Sequence, residues 1–118
     1  MFHHVGLRVR DLKAASRLYG AMLAPLGHVP GARGASYAGF GPEGRPALWL
    51  HLDKKAGGAH VALKAPSREA VDRFYAAGLK AGAKDNGAPG LRADYAPNYY
   101  GAFLLDADGN NIEAVCML

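Results

Sequence analysis

The chain has 118 residues, half of them apolar, and 14 Lys+Arg against 10 Asp+Glu give a formal net charge of +4. That is enough chain for one ordinary domain, residues 1–118, with a real core. No stretch approaches the ~18 consecutive apolar residues of a membrane span. The basic residues are scattered, Lys54-Lys55 being the one adjacent pair, so neither a membrane nor a nucleic-acid partner is expected.

Cys116 is the lone cysteine and has no intrachain partner for a disulfide, which fits a reducing compartment. The N-terminal MFHHVGLRV runs directly into a strand-like pattern without a charged-then-apolar leader, so a cytoplasmic location is expected.

In chain order, Val5, Leu7 and Val9 alternate with His4, Gly6 and Arg8, the period-two signature of a half-buried strand. Asp11 offers an N-cap, and Leu12, Ala15, Leu18, Tyr19, Met22, Leu23 and Leu26 recur at helical spacing until Pro25 and Gly27 end the helix. The Gly- and Pro-rich stretch from Gly27 to Gly44 holds one strand-like piece, Ser36 to Phe40. After a turn at Gly44-Arg45-Pro46, Ala47 to Leu52 reads as a strand, and Asp53 to Gly58 as a link.

A second strand pattern then alternates Val61 and Leu63 with His60, Ala62 and Lys64. Ser67 caps a helix whose inner face carries Val71, Phe74, Tyr75, Gly78 and Leu79. Ala83 to Asn98 is expected to be a long loop beside a site. Tyr99 to Leu105 and Asn111 to Met117 read as a hairpin about the turn Asp106 to Asn110. That turn begins like a calcium loop, but its glycine is misplaced and Met117 stands where the closing glutamate is needed.

The two halves say nearly the same thing 56 residues apart: His4-Val5-Gly6-Leu7-Arg8 returns as His60-Val61-Ala62-Leu63-Lys64. Ala14, Arg17, Tyr19, Ala21 and Leu23 return as Ala70, Arg73, Tyr75, Ala77 and Leu79. A duplicated unit implies two like modules about a pseudo-two-fold axis, here residues 1–55 and 58–118. Each half reads strand, helix, then two or three strands, an α+β architecture with a helix over one face of an antiparallel-rich sheet. Val5, Leu7, Val61 and Leu63 would pack beneath the helices, so His4 and His60 share the opposite, concave face. His3, of the other parity, and His28 and His51, without histidine twins, are expected at the surface. Tyr19 and Tyr75 are expected in the core and Trp49 in packing.

The strand HVGLRV, the helix and the closing hairpin DADGNNIEAV together resemble the vicinal oxygen chelate superfamily. Glyoxalase I, extradiol dioxygenases, fosfomycin-resistance transferases and bleomycin-resistance binding proteins belong to it. The resemblance spans essentially the whole chain and implies two tandem βαβββ modules forming a partly open, mostly antiparallel barrel-like sheet with helices outside. It also implies one divalent metal ion (Zn, Ni, Mn or Fe) held by His4, His60 and Glu113. Two imidazoles and a carboxylate are a common ligand set that leaves coordination positions open. Glu113 would double as the proton-moving catalytic group.

Glyoxalase I enzymes add a fourth carboxylate on the last strand of the first module. Superposing the hairpins with Gly44 on Gly109 and Phe40 on Leu105 sets Leu48 there, with Trp49 and His51 on the wrong face, so glutathione glyoxalase I activity is not expected. Arg8 and Lys64, repeat equivalents on the histidine face, and Asn98, Tyr99 and Tyr100 after the long loop are candidate substrate-binding residues. The expected function is a glyoxalase-like lyase or isomerase that acts on a small oxygen-chelating molecule through a metal-bound enolate, as a homodimer. The alternatives are a metal-free drug-binding protein of the bleomycin-resistance type and an extradiol-type dioxygenase.

Overall fold

The computed structural model describes all residues from Met1 to Leu118. Module one runs β1 (Val5–Val9), α1 (Leu12–Leu23), a short 3-10 turn at Ala24–Leu26, β2 (Val29–Arg33), β3 (Tyr37–Gly41) and β4 (Leu48–Leu52). Module two repeats the order with β5 (His60–Lys64), α2 (Arg68–Lys80), β6 (Lys84–Leu91), β7 (Tyr100–Leu105) and β8 (Asn111–Cys116). Each module is βαβββ, and the architecture is α+β as expected. The strands form two separate four-stranded sheets, β1-β4-β3-β2 and β5-β8-β7-β6. In each, the first strand lies parallel to the last and the other pairings are antiparallel. No barrel closes within one chain.

Local chemistry explains both helices. Asp11 accepts the backbone N–H of Ala14 and Ser67 that of Ala70, satisfying donors that the first turn would leave orphaned. The left-handed Gly27 ends the 3-10 turn after α1. The helices pack on each other and over their sheets around one continuous core, in which Leu7, Val9, Tyr19, Met22, Phe40, Leu50, Phe74, Leu104 and Ile112 are buried. Gly78 lets α2 come close: a Cβ there would run into the Leu104 side chain.

A buried polar network joins the modules. Asp106 accepts the Tyr19 hydroxyl at 2.7 Å, the Asn110 side-chain amide at 2.9 Å and the backbone N–H groups of Asp108 and Asn110. Asn110 in turn accepts the N–H of Ala59 and donates to the carbonyl of Arg8. One turn of module two thereby holds the end of β1 and the entry to β5. Arg10 adds an outer clamp, bonding Asp108 and the carbonyls of Lys54 and Ala56 in the intermodule link.

The structure corrects several expectations. Val29–Arg33 is a strand that the Gly/Pro-rich sequence conceals; all five residues are exposed, so no alternation of apolar residues marks it. Half of the expected loop from Ala83 to Asn98 is strand β6, Lys84–Leu91, whose ladder slips twice opposite β7, at Asp85/Gly87 and Gly87/Gly90. Leu79 is exposed rather than on the inner face of α2, and Tyr75 is half-buried, its hydroxyl donating to Asp85.

The most consequential correction concerns the hairpins. Phe40 pairs with Leu48 as Leu104 pairs with Ile112, so Leu48 corresponds to Ile112 and is a core residue. Trp49 is the counterpart of Glu113: it opposes Gly6 and Gly39 where Glu113 opposes Ala62 and Phe103. The two hairpins have the same length, but the left-handed glycine sits one place later in the second, so alignment on Gly44 and Gly109 slips by one residue. Trp49 and His51 therefore lie on the open face of their sheet. The fourth carboxylate is still missing, replaced by an indole.

Candidate functional site

The open face of module two gathers the groups with acid–base chemistry. His60 opens β5 and alternates away from half-buried Val61 and Leu63. Glu113 sits mid-β8 between Ile112 and Ala114, both of which point into the core, so Glu113 faces the other way. It is nevertheless only 2% exposed. A carboxylate so shielded needs partners, and it has two. The His60 Nε2 lies 3.0 Å from its Oε1, and the Tyr99 hydroxyl donates to its Oε2.

Tyr99 is held in place by the turn that follows β6, where the Arg92 N–H donates to the Tyr99 carbonyl at 2.7 Å. Burial, and then its bond to Glu113, push the Tyr99 phenol up to about 12. It therefore stays a protonated donor through the neutral range. Phe103 opposes Glu113 across the ladder and forms a wall beside the His60 ring, 6.4 Å away. The Arg92 guanidinium covers Phe103 at 5.4 Å, held by the Ala88 carbonyl. Tyr95 stands edge-on to Tyr99 at 5.1 Å.

Of the residues expected from sequence, His60, Glu113 and Tyr99 are thus brought together. His4 is not among them. It precedes the first residue of β1, its Nδ1 is 2.9 Å from that of His3, and it borders a cavity of about 240 Å³ between the modules. No three His, Cys, Asp or Glu side chains of one chain form a metal-holding group. His28 borders the same cavity and is half-buried rather than at the surface, with its Nδ1 unpartnered. Burial lowers its imidazole pKa.

Arg8 is exposed, its Nε 3.6 Å from Asp53, and Lys64 is exposed at the end of β5. The Asn98 side-chain amide donates to the Met117 carbonyl. Tyr100 points to the helix side, where its hydroxyl donates to Asp72 at 2.6 Å and Arg68 lies over its ring. That is the face of β7 opposite Glu113, so Tyr100 does not share its site.

The donor chemistry of the His60–Glu113 pair fits a divalent ion in part. An imidazole nitrogen and a carboxylate oxygen are donor types that such ions take, and here the two stand at hydrogen-bond distance, 3.0 Å. One imidazole and one carboxylate are too few for a complete site. Sequence reasoning missed Phe103, Arg92 and Tyr95. Period-two alternation from Glu113's partner strand, linking Tyr99, Gly101 and Phe103, was an available signal for the first; nothing local marks Arg92 or Tyr95.

No family model and no curated protein matches this sequence. Solved structures do. A glyoxalase/bleomycin resistance protein from Albidiferax ferrireducens is 31% identical, with 98% of each chain covered and a TM-score of 0.85. A glyoxalase/bleomycin resistance protein/dioxygenase family enzyme from Burkholderia phytofirmans shares the fold at 19% identity and TM-score 0.76, again over 98% of each chain. A glyoxalase-related enzyme from Fulvimarina pelagi does so at 17% identity and TM-score 0.73, over 95% of this chain and 84% of that one.

Proposed function

Because this chain belongs to the glyoxalase/bleomycin resistance protein family, we propose that it is a small divalent-metal-dependent enzyme of the glyoxalase-like type. Its substrate is a small molecule offering two oxygens, and its chemistry is a lyase or isomerase step rather than glutathione glyoxalase I catalysis. The observation that carries this is buried Glu113 with His60 Nε2 at 3.0 Å on one oxygen and the Tyr99 hydroxyl on the other. His60 and Glu113 are two ligands for Zn, Ni, Mn or Fe, and His4 is the third.

Since His4 stands apart within one chain, the third ligand is contributed by a second copy in a homodimer. The pseudo-two-fold repeat supports this, because module one of one copy can meet module two of another as equivalents. His60, Glu113 and the second copy's His4 would hold the ion, which when bound would supply Lewis-acid polarisation of substrate oxygens. Glu113 takes and returns a proton at its carboxylate oxygen, shielded from bulk water. Tyr99 orients that carboxylate, while Phe103 and Arg92 wall the site. The missing first-module carboxylate, replaced by Trp49, argues against glutathione glyoxalase I.

Elemental analysis after purification without added metal tests the ligand set: His60→Ala and Glu113→Ala should lose the ion, and His4→Ala should lose it as well. Mixing the His4→Ala and Glu113→Ala chains should restore metal to part of the population, because a heterodimer of the two contains one intact site. Unchanged metal content in the His60 and Glu113 variants refutes the site, and failed complementation refutes the shared one.

One observation favours a second reading. With no three-ligand group in a single chain, the second reading is a metal-free protein that sequesters a drug, like bleomycin-resistance members of the superfamily. Thermal stabilisation by Mn(II), Ni(II) or Zn(II) selects the enzyme; stabilisation by drug-like ligands with no metal response selects the binder.

A further inference from the structure

The open face of module one carries no acid–base pair but three aromatic rings, each lying against a glycine. Both ladder partners of Trp49 are glycines, Gly6 on β1 and Gly39 on β3. The benzo half of the indole covers Gly39: a Cβ placed there would be 2.6 Å from its Cζ3 and 2.8 Å from its Cε3. The His51 ring covers Gly6, where a Cβ would lie 3.3 Å from its Cδ2. The Tyr37 ring covers Gly34, 2.5 Å from a built Cβ, and meets the indole at 6.1 Å between centroids.

A side chain that lies over a neighbouring strand cannot stand off the sheet. With no Cβ beneath them, the rings lie low against the backbone, and together they make a broad aromatic surface. It stays open: Tyr37 and His51 are exposed and Trp49 is half-buried. At its rim, Arg8 is directly opposite His51 in the ladder. Its only close acid is Asp53, 3.6 Å away at Nε, and its terminal nitrogens have no protein partner.

We propose that this face is a stacking platform for a planar, anionic small molecule, an aromatic carboxylate in class. Its ring lies on Trp49 and its charge is taken by Arg8, with His51 beside it. A flat π surface favours flat ligands over bulky saturated ones, and a guanidinium pairs a carboxylate through two parallel N–H groups. The platform deepens the proposed function and rests on it: where module one of one copy meets module two of another, this face lines the cavity of the His60–Glu113 site, and the aromatic carboxylate is its substrate class. Module one binds with rings at the positions where module two holds its acid–base groups.

Trp49 is the single tryptophan, so its indole N–H gives one resonance that reports directly on the platform. The experiment titrates the full chain, stripped of metal with EDTA, with 2-naphthoate, 2-naphthol and cyclohexanecarboxylate. Naphthoate should shift the indole peak saturably, and cyclohexanecarboxylate should bind at least tenfold more weakly. Arg8→Gln should weaken naphthoate about threefold to tenfold and leave naphthol unchanged. Gly39→Ala, which lifts the indole off β3, should weaken both aromatic probes about tenfold.

Ligand-observed spectra of Trp49→Leu provide a second measurement that does not depend on the Gly39 variant folding, and binding should be lost there. The proposal is overturned by no saturable shift at millimolar naphthoate at fixed protein concentration, or by an equal response to the saturated acid. Because the titration excludes metal, failure of the platform leaves the His60–Glu113 site standing, and failure of that site is read separately, by metal content.

Discussion

Removing the carboxylate of Asp106 should unlock the junction that places the end of β1 and the entry to β5. Asp106 is 5% exposed and accepts from the Tyr19 hydroxyl, the Asn110 amide and two backbone N–H groups. In Asp106→Ala, two buried side-chain donors lose their acceptor, and Asn110 is freed to swing away from Ala59 and Arg8. A buried donor left unsatisfied costs ~1–3 kcal/mol, so two of them with the loosened turn cost about 3–5 kcal/mol.

At roughly 2.1 cal/mol/K per residue, the unfolding entropy of a chain this long is about 0.25 kcal/mol/K, and Tm should fall by about 12–20 °C. Tyr19→Phe deletes one donor and leaves the others paired, so it should cost about 1–1.5 kcal/mol, or ~4–6 °C. Scanning calorimetry or circular dichroism melts at matched protein concentration measure both. If Asp106→Ala melts within ~4 °C of the parent, or Tyr19→Phe costs as much as Asp106→Ala, the network does not hold the modules as argued.

Gly78→Val should destabilise by ~1–3 kcal/mol through overpacking, because the new side chain meets Leu104 and Met22; urea melts would read it, and no change would mean that α2 has slack. Gly57→Ala should also destabilise, since Gly57 has φ +100° and a Cβ there would collide with the Asp108 carbonyl. Ser67→Ala should remove about 1 kcal/mol by unmaking the cap of α2, with Ser67→Asp restoring most of it.

The pH response of Asp85 has a defined sign. The Gly87 N–H and the Tyr75 hydroxyl lower its carboxyl from the ordinary value of 3.8. Its contribution is therefore present above that value and lost as pH falls through the lower folded value. The stability gap between parent and Asp85→Asn should shrink below pH 4; a gap that widens there contradicts the assignment.

The repeat made the fold legible. A period-two strand followed by a capped helix, twice over, carries its information locally: each side chain's face is set by strand alternation or helical spacing. That was enough for β1, α1, β5, α2 and the closing hairpin, and it sent His60 and Glu113 to one open face. β2 was hidden because an exposed edge strand of Gly and Pro has no apolar pattern. β6 was hidden because two register slips break its period. Leu48 was misplaced because a turn glycine marks the bend but not the ladder position.

The sequence by itself determined the duplication, the leading strand and capped helix of each half and the closing hairpin, since these follow from local period and residue type. The full βαβββ plan and the pairing of His60 with Glu113 came from the family resemblance that those patterns carry. Tertiary structure decided the rest. It drew Tyr99 onto Glu113 across fourteen residues of chain and left His4 away from its repeat partner. It also laid Trp49, rather than Leu48, at the position equivalent to the carboxylate. Each of those depends on which strand meets which and in what register, a choice made by packing between distant segments that no local pattern encodes.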